Sequence, residues 1–126
     1  EGKKTFYGIN LSHGGGSFAR AVMEGICFAT KTKLLKIAPD AENIRFTGGA
    51  SKSAFWTQLT ADIFALPLTV PEMPDIACLG AALIAGVGSG VFSDYGSGYK
   101  SLNVPSHTVY PDEKRTQIYE KAFEKV

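Results

Sequence analysis

The sequence predicts an α/β domain in which helices flank a short, mostly parallel sheet. Short apolar and β-branched segments alternate with longer segments of helical periodicity, and glycine or proline separates the two kinds. Strands separated by helices pair in parallel through right-handed crossovers. The length of 126 residues suits one domain, and 44% hydrophobic with 20% charged residues is ordinary for a globular chain.

Three strands are predicted, each a short run of aromatic, aliphatic or β-branched residues. They are Thr5–Ile9, Asn43–Thr47 and Leu68–Val70, the last closed by Pro71. Three short strands make a narrow sheet whose edge would ordinarily be paired. We therefore expect that these residues are part of a larger protein in which another segment completes the sheet.

The first helix is predicted from Phe18 to about Ile37, because its apolar side chains recur at helical spacing. Ser17 is its expected N-cap, since it follows a glycine-rich turn and can accept from a free N–H group of the first turn. The apolar positions that define this helix face are Phe18, Val22, Ile26 and Ala29.

Three further helices and one loop complete the predicted order of elements. The helices are Ala54–Ala65, Cys78–Gly90 and Asp112–Val126, and the loop is Ser93–Pro105. The helix over Cys78–Gly90 is apolar nearly all round, which predicts burial on most of its sides.

Charge and composition exclude several classes of partner. The formal net charge is +1 and Lys and Arg form no stripe, so we expect neither nucleic acid nor an anionic membrane as a partner. The longest apolar run, Cys78–Val87, is too short to span a bilayer. We expect no secretory signal, because the first residues do not form a charged segment followed by an apolar one. Cys27 and Cys78 lie in apolar helical surroundings, which favours buried, reduced thiols in a cytoplasmic protein. With His13 and His107 distant, they do not form a metal site.

The segment from Asn43 to Ser53 carries the strongest functional signal. A short strand leads into Gly48-Gly49, and small polar residues then open a helix. Glycines allow a ligand to approach the backbone, and the N-terminus of a helix favours an anion. This order is typical of proteins that hold the phosphate or ribose part of a nucleotide. The alternative is a tight strand-to-helix turn that binds nothing.

Three common motifs do not fit this segment. A Walker loop requires glycine directly before Lys52-Ser53, where Ser51 stands. A Rossmann loop requires Gly-x-Gly-x-x-Gly, which Gly48–Ser51 does not supply. His13–Gly16 is similar to the oxyanion loop of esterases, but Gly49–Ser53 lacks the last glycine of the Gly-x-Ser-x-Gly elbow. A hydrolase is therefore disfavoured.

Five segments in order resemble the C-terminal domain of the FGGY sugar kinases, which include xylulokinase, glycerol kinase, gluconate kinase and autoinducer-2 kinase. They are the Arg-Ala-x-x-Glu-Gly helix at Arg20–Ile26, the loop Gly48–Ala50, the helix end Ala61–Ile63, the strand end Val70–Pro71, and the helix start Leu79–Ala82. The likeness covers about residues 5 to 95. On this basis we expect residues 1–126 to be the C-terminal part of an FGGY C-terminal domain.

The resemblance implies an actin-like, ribonuclease-H-like fold, with ATP in a cleft between two such domains. By that likeness Gly48, Gly49 and Ala50 would lie against the ribose and the α-phosphate, and Ser53 would lie on the adenine side. Lys52 could attract phosphate, although a solvated lysine at a loop is the commoner case. Mg²⁺ would bridge the phosphates and be held mainly by a domain outside this chain.

The resemblance assigns no catalytic residue to this chain, because the family's Asp-x-Gly-Thr phosphate loop and its carboxylate base are absent from the sequence. Arg20 and Glu24 are expected to pair as structural residues, and Asp62 and Asp75 to be a helix-end charge and a loop charge. We therefore expect this chain to be the nucleotide-binding part of a kinase that phosphorylates a ketose or polyol. Alone, the chain should be inactive and should bind ATP or ADP weakly. A xylulokinase-like substrate is the first choice. The alternatives are an autoinducer-2 kinase and a non-catalytic actin-like module that forms a homodimer.

Overall fold

The computed structural model describes residue 6, residues 8–73 and residues 75–125. Within these residues the chain forms α-helices, three strands and one 3₁₀ turn at Gly49–Lys52. The helices are α1 (Gly15–Ile37), α2 (Ala54–Phe64), α3 (Ile76–Gly88), α4 (Tyr95–Ser101) and α5 (Glu113–Phe123); the strands are β1 (Ile44–Arg45), β2 (Leu68–Pro71) and β3 (Ser106–Val109).

The α/β class is confirmed, and the described sheet has the order β1-β2-β3. Strands β1 and β2 are parallel, with Ile44 opposite Leu68, as the alternation of strands and helices predicts. Strand β3 adds an antiparallel pair with β2, in which Leu68 lies opposite Val109. The parallel prediction therefore holds for β1 and β2 only. The sequence did not reveal β3 because its residues are mostly exposed and lack alternating apolar positions.

The first predicted strand, Thr5–Ile9, lies partly outside the described residues. Thr5 and Tyr7 are among those not described, and Phe6, Gly8 and Ile9 do not form a strand.

The core lies where α1, α2 and α5 pack together. Its buried side chains come from all three helices, and Ile44 of β1 packs against them. They are Cys27, Leu59, Ile63, Phe64 and Tyr119.

Helices α1 and α2 run side by side in the same direction. The Sγ of Cys27 lies 3.5 Å from the Oγ1 of Thr60, and one turn later the Nζ of Lys31 donates to the carbonyl oxygen of Ile63 over 2.7 Å. Since α2 begins just after the carboxyl end of β1, the start of α1 lies at that same end of the domain.

The apolar face of α1 that the sequence defines is not its buried face. Phe18, Val22 and Ile26 are 36%, 49% and 48% exposed, whereas Cys27 and Lys31 are buried. The apolar positions define one helical stripe, but a neighbouring stripe packs on α2. Lys31 belongs to that second stripe, because its aliphatic stem can be buried while its ammonium group bonds to a carbonyl.

The predicted cap of α1 is also wrong, since the helix begins at Gly15 with Gly14 at the N-cap position. Other boundaries hold to within a few residues. Helix α2 begins at Ala54 as predicted and ends at Phe64. Helix α5 begins just after Asp112 and ends at Phe123. Val126, the predicted end of this helix, lies outside the described residues.

Two predictions fail around α3. Helix α3 was expected to be buried on most sides, yet only Leu79 is buried and Ile84 is 63% exposed. The predicted loop Ser93–Pro105 contains α4, which is capped by Asp94. The sequence did not predict α4 because four of its seven residues are glycine or serine, which have low helix propensity. No helix in the described ranges is long and apolar enough to cross a membrane.

Candidate functional site

A cleft of about 260 Å³ opens at the carboxyl ends of β1 and β2. One wall follows β1 and the other follows β2, and in parallel α/β sheets this edge is where ligands commonly bind. The lining residues are Thr47, Gly48, Gly49, Ser51 and Lys52 on the first wall, and Pro71, Met73, Asp75, Ile76 and Ala77 on the second.

The two glycines of the first wall have different roles. Gly48 adopts φ 90° and ψ −165°, a region of backbone space that essentially only glycine occupies. Gly49 does not need such a backbone, but a Cβ atom at either position would meet no atom within 4 Å. The backbone of this wall is therefore open to a ligand, which is the property expected of a ribose and phosphate contact.

The other two predicted nucleotide contacts, Ala50 and Ser53, are not among the residues that line this cleft. Ala50 lies within the 3₁₀ turn, and its carbonyl accepts the N–H of Ser53 over 3.1 Å. Ser53 is the N-cap of α2, with its hydroxyl accepting the N–H of Trp56 over 3.3 Å. In their place the structure brings Ser51 and Lys52 to the cleft.

The second wall carries a carboxylate that sequence reasoning treated as a loop charge. Asp75 is the N-cap of α3, and its Oδ1 accepts the N–H groups of Ala77 and Cys78 over 2.9 and 3.1 Å. The bonds from the N–H and thiol of Cys78, then that from Ala77, lower the pKa of Asp75, and Lys52 lowers it slightly further. An aspartate directly before an apolar helix is a common N-cap pattern, so the sequence did contain this signal.

Within the described ranges, no group of three or more His, Cys, Asp or Glu side chains could hold a metal ion. Both cysteines are free as predicted, but only Cys27 is buried, and Cys78 is exposed at the start of α3. The expectation that both thiols are buried is therefore wrong.

Arg20 and Glu24 pair as expected, and Tyr119 joins them. Arg20 donates to Glu24 over 2.8 Å and to the Tyr119 hydroxyl over 2.7 Å, and that hydroxyl donates to Glu24 over 2.7 Å. This arrangement ties α1 to α5. Spacing along one helix reveals the first pair, but no local pattern identifies a partner 95 residues away.

Residues 2–89 match the model of the FGGY family of carbohydrate kinases, C-terminal domain. The chain belongs to the FGGY family of carbohydrate kinases. The loop Gly48–Lys52 and the residues of the facing wall all fall inside this match. The resemblance predicted from the sequence is confirmed.

Named relatives within the family are sugar and autoinducer kinases. The chain is 32% identical over 123 residues to the L-xylulose/3-keto-L-gulonate kinase of Escherichia coli K12, covering 95% of this chain and 25% of the relative. It is 33% identical over 111 residues to the autoinducer-2 kinase of the same strain, covering 84% of this chain and 21% of that relative. The chain thus spans about a quarter of the length of the curated relatives it matches.

Solved structures of FGGY kinases share the fold. A ligand-bound xylulose kinase from Lactobacillus acidophilus superposes with a TM-score of 0.78 at 27% identity, and a gluconate kinase from the same organism with 0.77 at 29%. Each match covers 96% of this chain and 25% of the solved one. A Plasmodium falciparum glycerol kinase solved with ADP, at 22% identity and a TM-score of 0.73, shows the fold alone. The actin-like, ribonuclease-H-like fold predicted for the chain is confirmed.

Proposed function

We propose that this chain forms the adenosine-side wall of the ATP site in an ATP-dependent kinase that phosphorylates a ketose or polyol. The observation that carries this proposal is the open glycine wall at Gly48 and Gly49. It lies at the carboxyl ends of two parallel strands and inside residues that match the FGGY family. A tight turn that binds nothing explains the backbone of Gly48, but Gly48 and Gly49 also line a cleft together with residues of a second wall, and this favours a binding site.

The nucleotide contacts we assign are Gly48, Gly49, Ala50 and Ser53. Gly48 and Gly49 would contact the ribose and the α-phosphate directly. Ala50 is assigned with them to the ribose and the α-phosphate, and Ser53 to the adenine side, although neither residue lines the cleft. Mg²⁺ would bridge the phosphates, and residues outside this chain would hold it.

The substrate class follows from the relatives. The 32% identity to an L-xylulose kinase supports a xylulose-like ketose as the substrate. The similar identity to an autoinducer-2 kinase supports autoinducer-2 as the alternative substrate. We propose that residues 1–126 are the C-terminal part of the kinase C-terminal domain and that the reaction takes place in the cytoplasm. Phosphoryl transfer depends on positioning and on charge stabilisation around the phosphates, so the chain by itself is proposed to be inactive.

The test is an assay of ADP release with ATP, Mg²⁺ and a panel of ketoses and polyols. The 126-residue chain should show no sugar-dependent turnover. A chimera in which it replaces the corresponding part of the E. coli L-xylulose kinase should phosphorylate L-xylulose, and Gly49→Trp should abolish that activity. Turnover by the chain alone that Gly49→Trp abolishes would contradict its inactivity. If the folded chimera keeps its activity when it carries Gly49→Trp, the assigned nucleotide site is contradicted.

A further inference from the structure

The two walls of the cleft carry opposite charges. Lys52 ends the 3₁₀ turn on the glycine wall, and Asp75 begins α3 on the facing wall. Both residues line the cleft, and no ion pair within 4.0 Å joins these two described side chains. Each charge is therefore available to a ligand that lies between them.

The Asp75 carboxylate has remaining capacity as a hydrogen-bond acceptor. The carboxylate accepts two backbone N–H groups at Oδ1, from Ala77 and Cys78, and also the thiol of Cys78, whereas an ionised carboxylate offers about four lone-pair sites. An aspartate is ordinarily ionised at neutral pH, and the bonds from Cys78 and Ala77 lower the pKa of Asp75 further. A group that bonds to Asp75 must then be a hydrogen-bond donor, such as a hydroxyl.

The N-terminus of α3 is unsuited to a phosphate group. The N–H groups of Ala77 and Cys78 already bond to Asp75, and the negative charge of Asp75 offsets the positive end of the helix dipole. On the facing wall, Gly48 and Gly49 leave open space and Lys52 supplies a positive charge. The anionic end of a ligand therefore belongs beside Lys52.

The size of the cleft limits how much of a nucleotide it can hold. Pockets that enclose a whole drug-sized ligand have volumes of about 300–1,000 Å³, and this cleft has about 260 Å³. This size suits part of a nucleotide, such as a ribose and one phosphate, better than a complete ATP molecule.

We propose that Asp75 is a specificity-determining residue of this cleft, which accepts hydrogen bonds from the ribose hydroxyls of a ribonucleotide whose phosphate lies beside Lys52. The inference rests on the proposed nucleotide-binding function and adds to it an orientation and a choice of sugar. A site that bonds a hydroxyl discriminates strongly against an analogue that lacks it, because the acceptor is then left without its partner. The chain should therefore favour AMP over its 2′-deoxy or 3′-deoxy analogue by about tenfold.

Binding is measured by titrating the ¹⁵N-labelled chain with AMP, 2′-deoxy-AMP and 3′-deoxy-AMP, and following backbone amide signals. The variant is Asp75→Ser, because serine caps a helix about as well as aspartate but removes the carboxylate. The matched control is Asp94→Ser, which makes the same change at the N-cap of α4, where Asp94 accepts the N–H of Ser97 and does not line the cleft.

In the wild-type chain and in Asp94→Ser, AMP should bind about tenfold more tightly than at least one deoxy analogue. In Asp75→Ser, the affinity for AMP should fall to that of the analogue. Equal weakening of all three ligands by Asp75→Ser would show a structural role and overturn the inference. Tighter binding of every ligand would place the phosphate beside α3 and overturn it as well.

The titration separates this inference from the proposal on which it rests. If AMP shifts no signal near Gly48 and Gly49 in the wild-type chain, nucleotide binding itself fails. If AMP binds there but neither the deoxy analogues nor Asp75→Ser change the affinity, only the role of Asp75 fails.

Discussion

Arg115 of α5 and Asp62 of α2 form a hydrogen-bonded ion pair, in which the guanidinium Nε donates to Oδ2 over 2.6 Å. Asp62 is only 2% exposed, and its other oxygen accepts the side-chain amide of Gln58 and the N–H of Asp112, each over 2.8 Å. The buried carboxylate thus fixes the point at which α5 begins. The free-energy cost of burying this charge is offset because both carboxylate oxygens have hydrogen-bond partners.

Asp62→Ala should destabilise the chain by about 3 kcal/mol, since it removes three hydrogen bonds. The Gln58 amide keeps a bond to the carbonyl of Tyr110, but Arg115 Nε and the N–H of Asp112 lose their acceptor. The free energy of unfolding is obtained from urea titration followed by circular dichroism. Asp40→Ala, at an exposed position in the turn after α1, is the control and should have little effect. Equal stability of the two variants would contradict the structural role of Asp62.

The two glycines of the cleft should respond differently to alanine. Gly48→Ala forces a side chain into the backbone region that only glycine occupies, and should cost about 1–3 kcal/mol. Gly49→Ala meets open space without positive φ, so its stability should stay close to that of the wild type. Thermal unfolding of both variants measures the difference. Two equal losses would show that the conformation of Gly48 is not as described.

Gly49→Trp should preserve the fold and abolish nucleotide binding. The indole has room to extend from the backbone, because nothing lies within 4 Å of the Cβ position, but the space it fills is the ligand's. Gly25→Trp is the matched control, at an exposed position of α1 outside the cleft. Binding of ADP is followed by amide shifts, and retention of binding in Gly49→Trp would be inconsistent with the assigned site.

Tyr119→Phe tests the link between α1 and α5. The hydroxyl of Tyr119 bonds to both Arg20 and Glu24, so its removal should cost about 1 kcal/mol near neutral pH. The pKa of Tyr119 is raised above its ordinary value of 10.0, and burial is the largest cause. The unfolded chain then loses its tyrosine proton at lower pH than the folded chain, and the tyrosine's contribution to stability falls as pH rises above 10.

The measurement is the free energy of unfolding of both proteins from pH 7 to about pH 11. The advantage of the wild type over Tyr119→Phe should stay constant up to about pH 9 and shrink above pH 10. An advantage that grows above pH 10 would have the wrong sign for a raised pKa and would contradict the buried hydroxyl arrangement.

Local patterns predicted the elements whose signals are local. The glycine pair, the start of α2 at Ala54 and the strand before Pro71 were found because turns and caps depend on adjacent residues. The buried face of α1 was not found, because two apolar stripes compete on one helix and only the packing of α2 decides between them. Lys31 illustrates this, since its burial depends on the carbonyl of Ile63.

The cleft was only half predictable for the same reason. The wall at Gly48 and Gly49 is a contiguous segment with its own signature. The facing wall lies more than twenty residues further along the chain, and Asp75 contributes to the cleft only because β1 and β2 are neighbours. The pairing of Asp62 with Arg115 likewise joins residues 53 apart, which no periodicity indicates.

The central claim is that the cleft at Gly48 and Gly49 binds the adenosine side of a nucleotide. It is tested most directly by titrating the ¹⁵N-labelled 126-residue chain with ADP and mapping the amide signals that move. We predict weak binding, with a dissociation constant of about 1 mM or higher, and signal changes confined to Thr47–Ser53 and Asp75–Ala77. A tight dimer whose signals in these two segments do not respond to ADP would contradict the claim and favour a non-catalytic module.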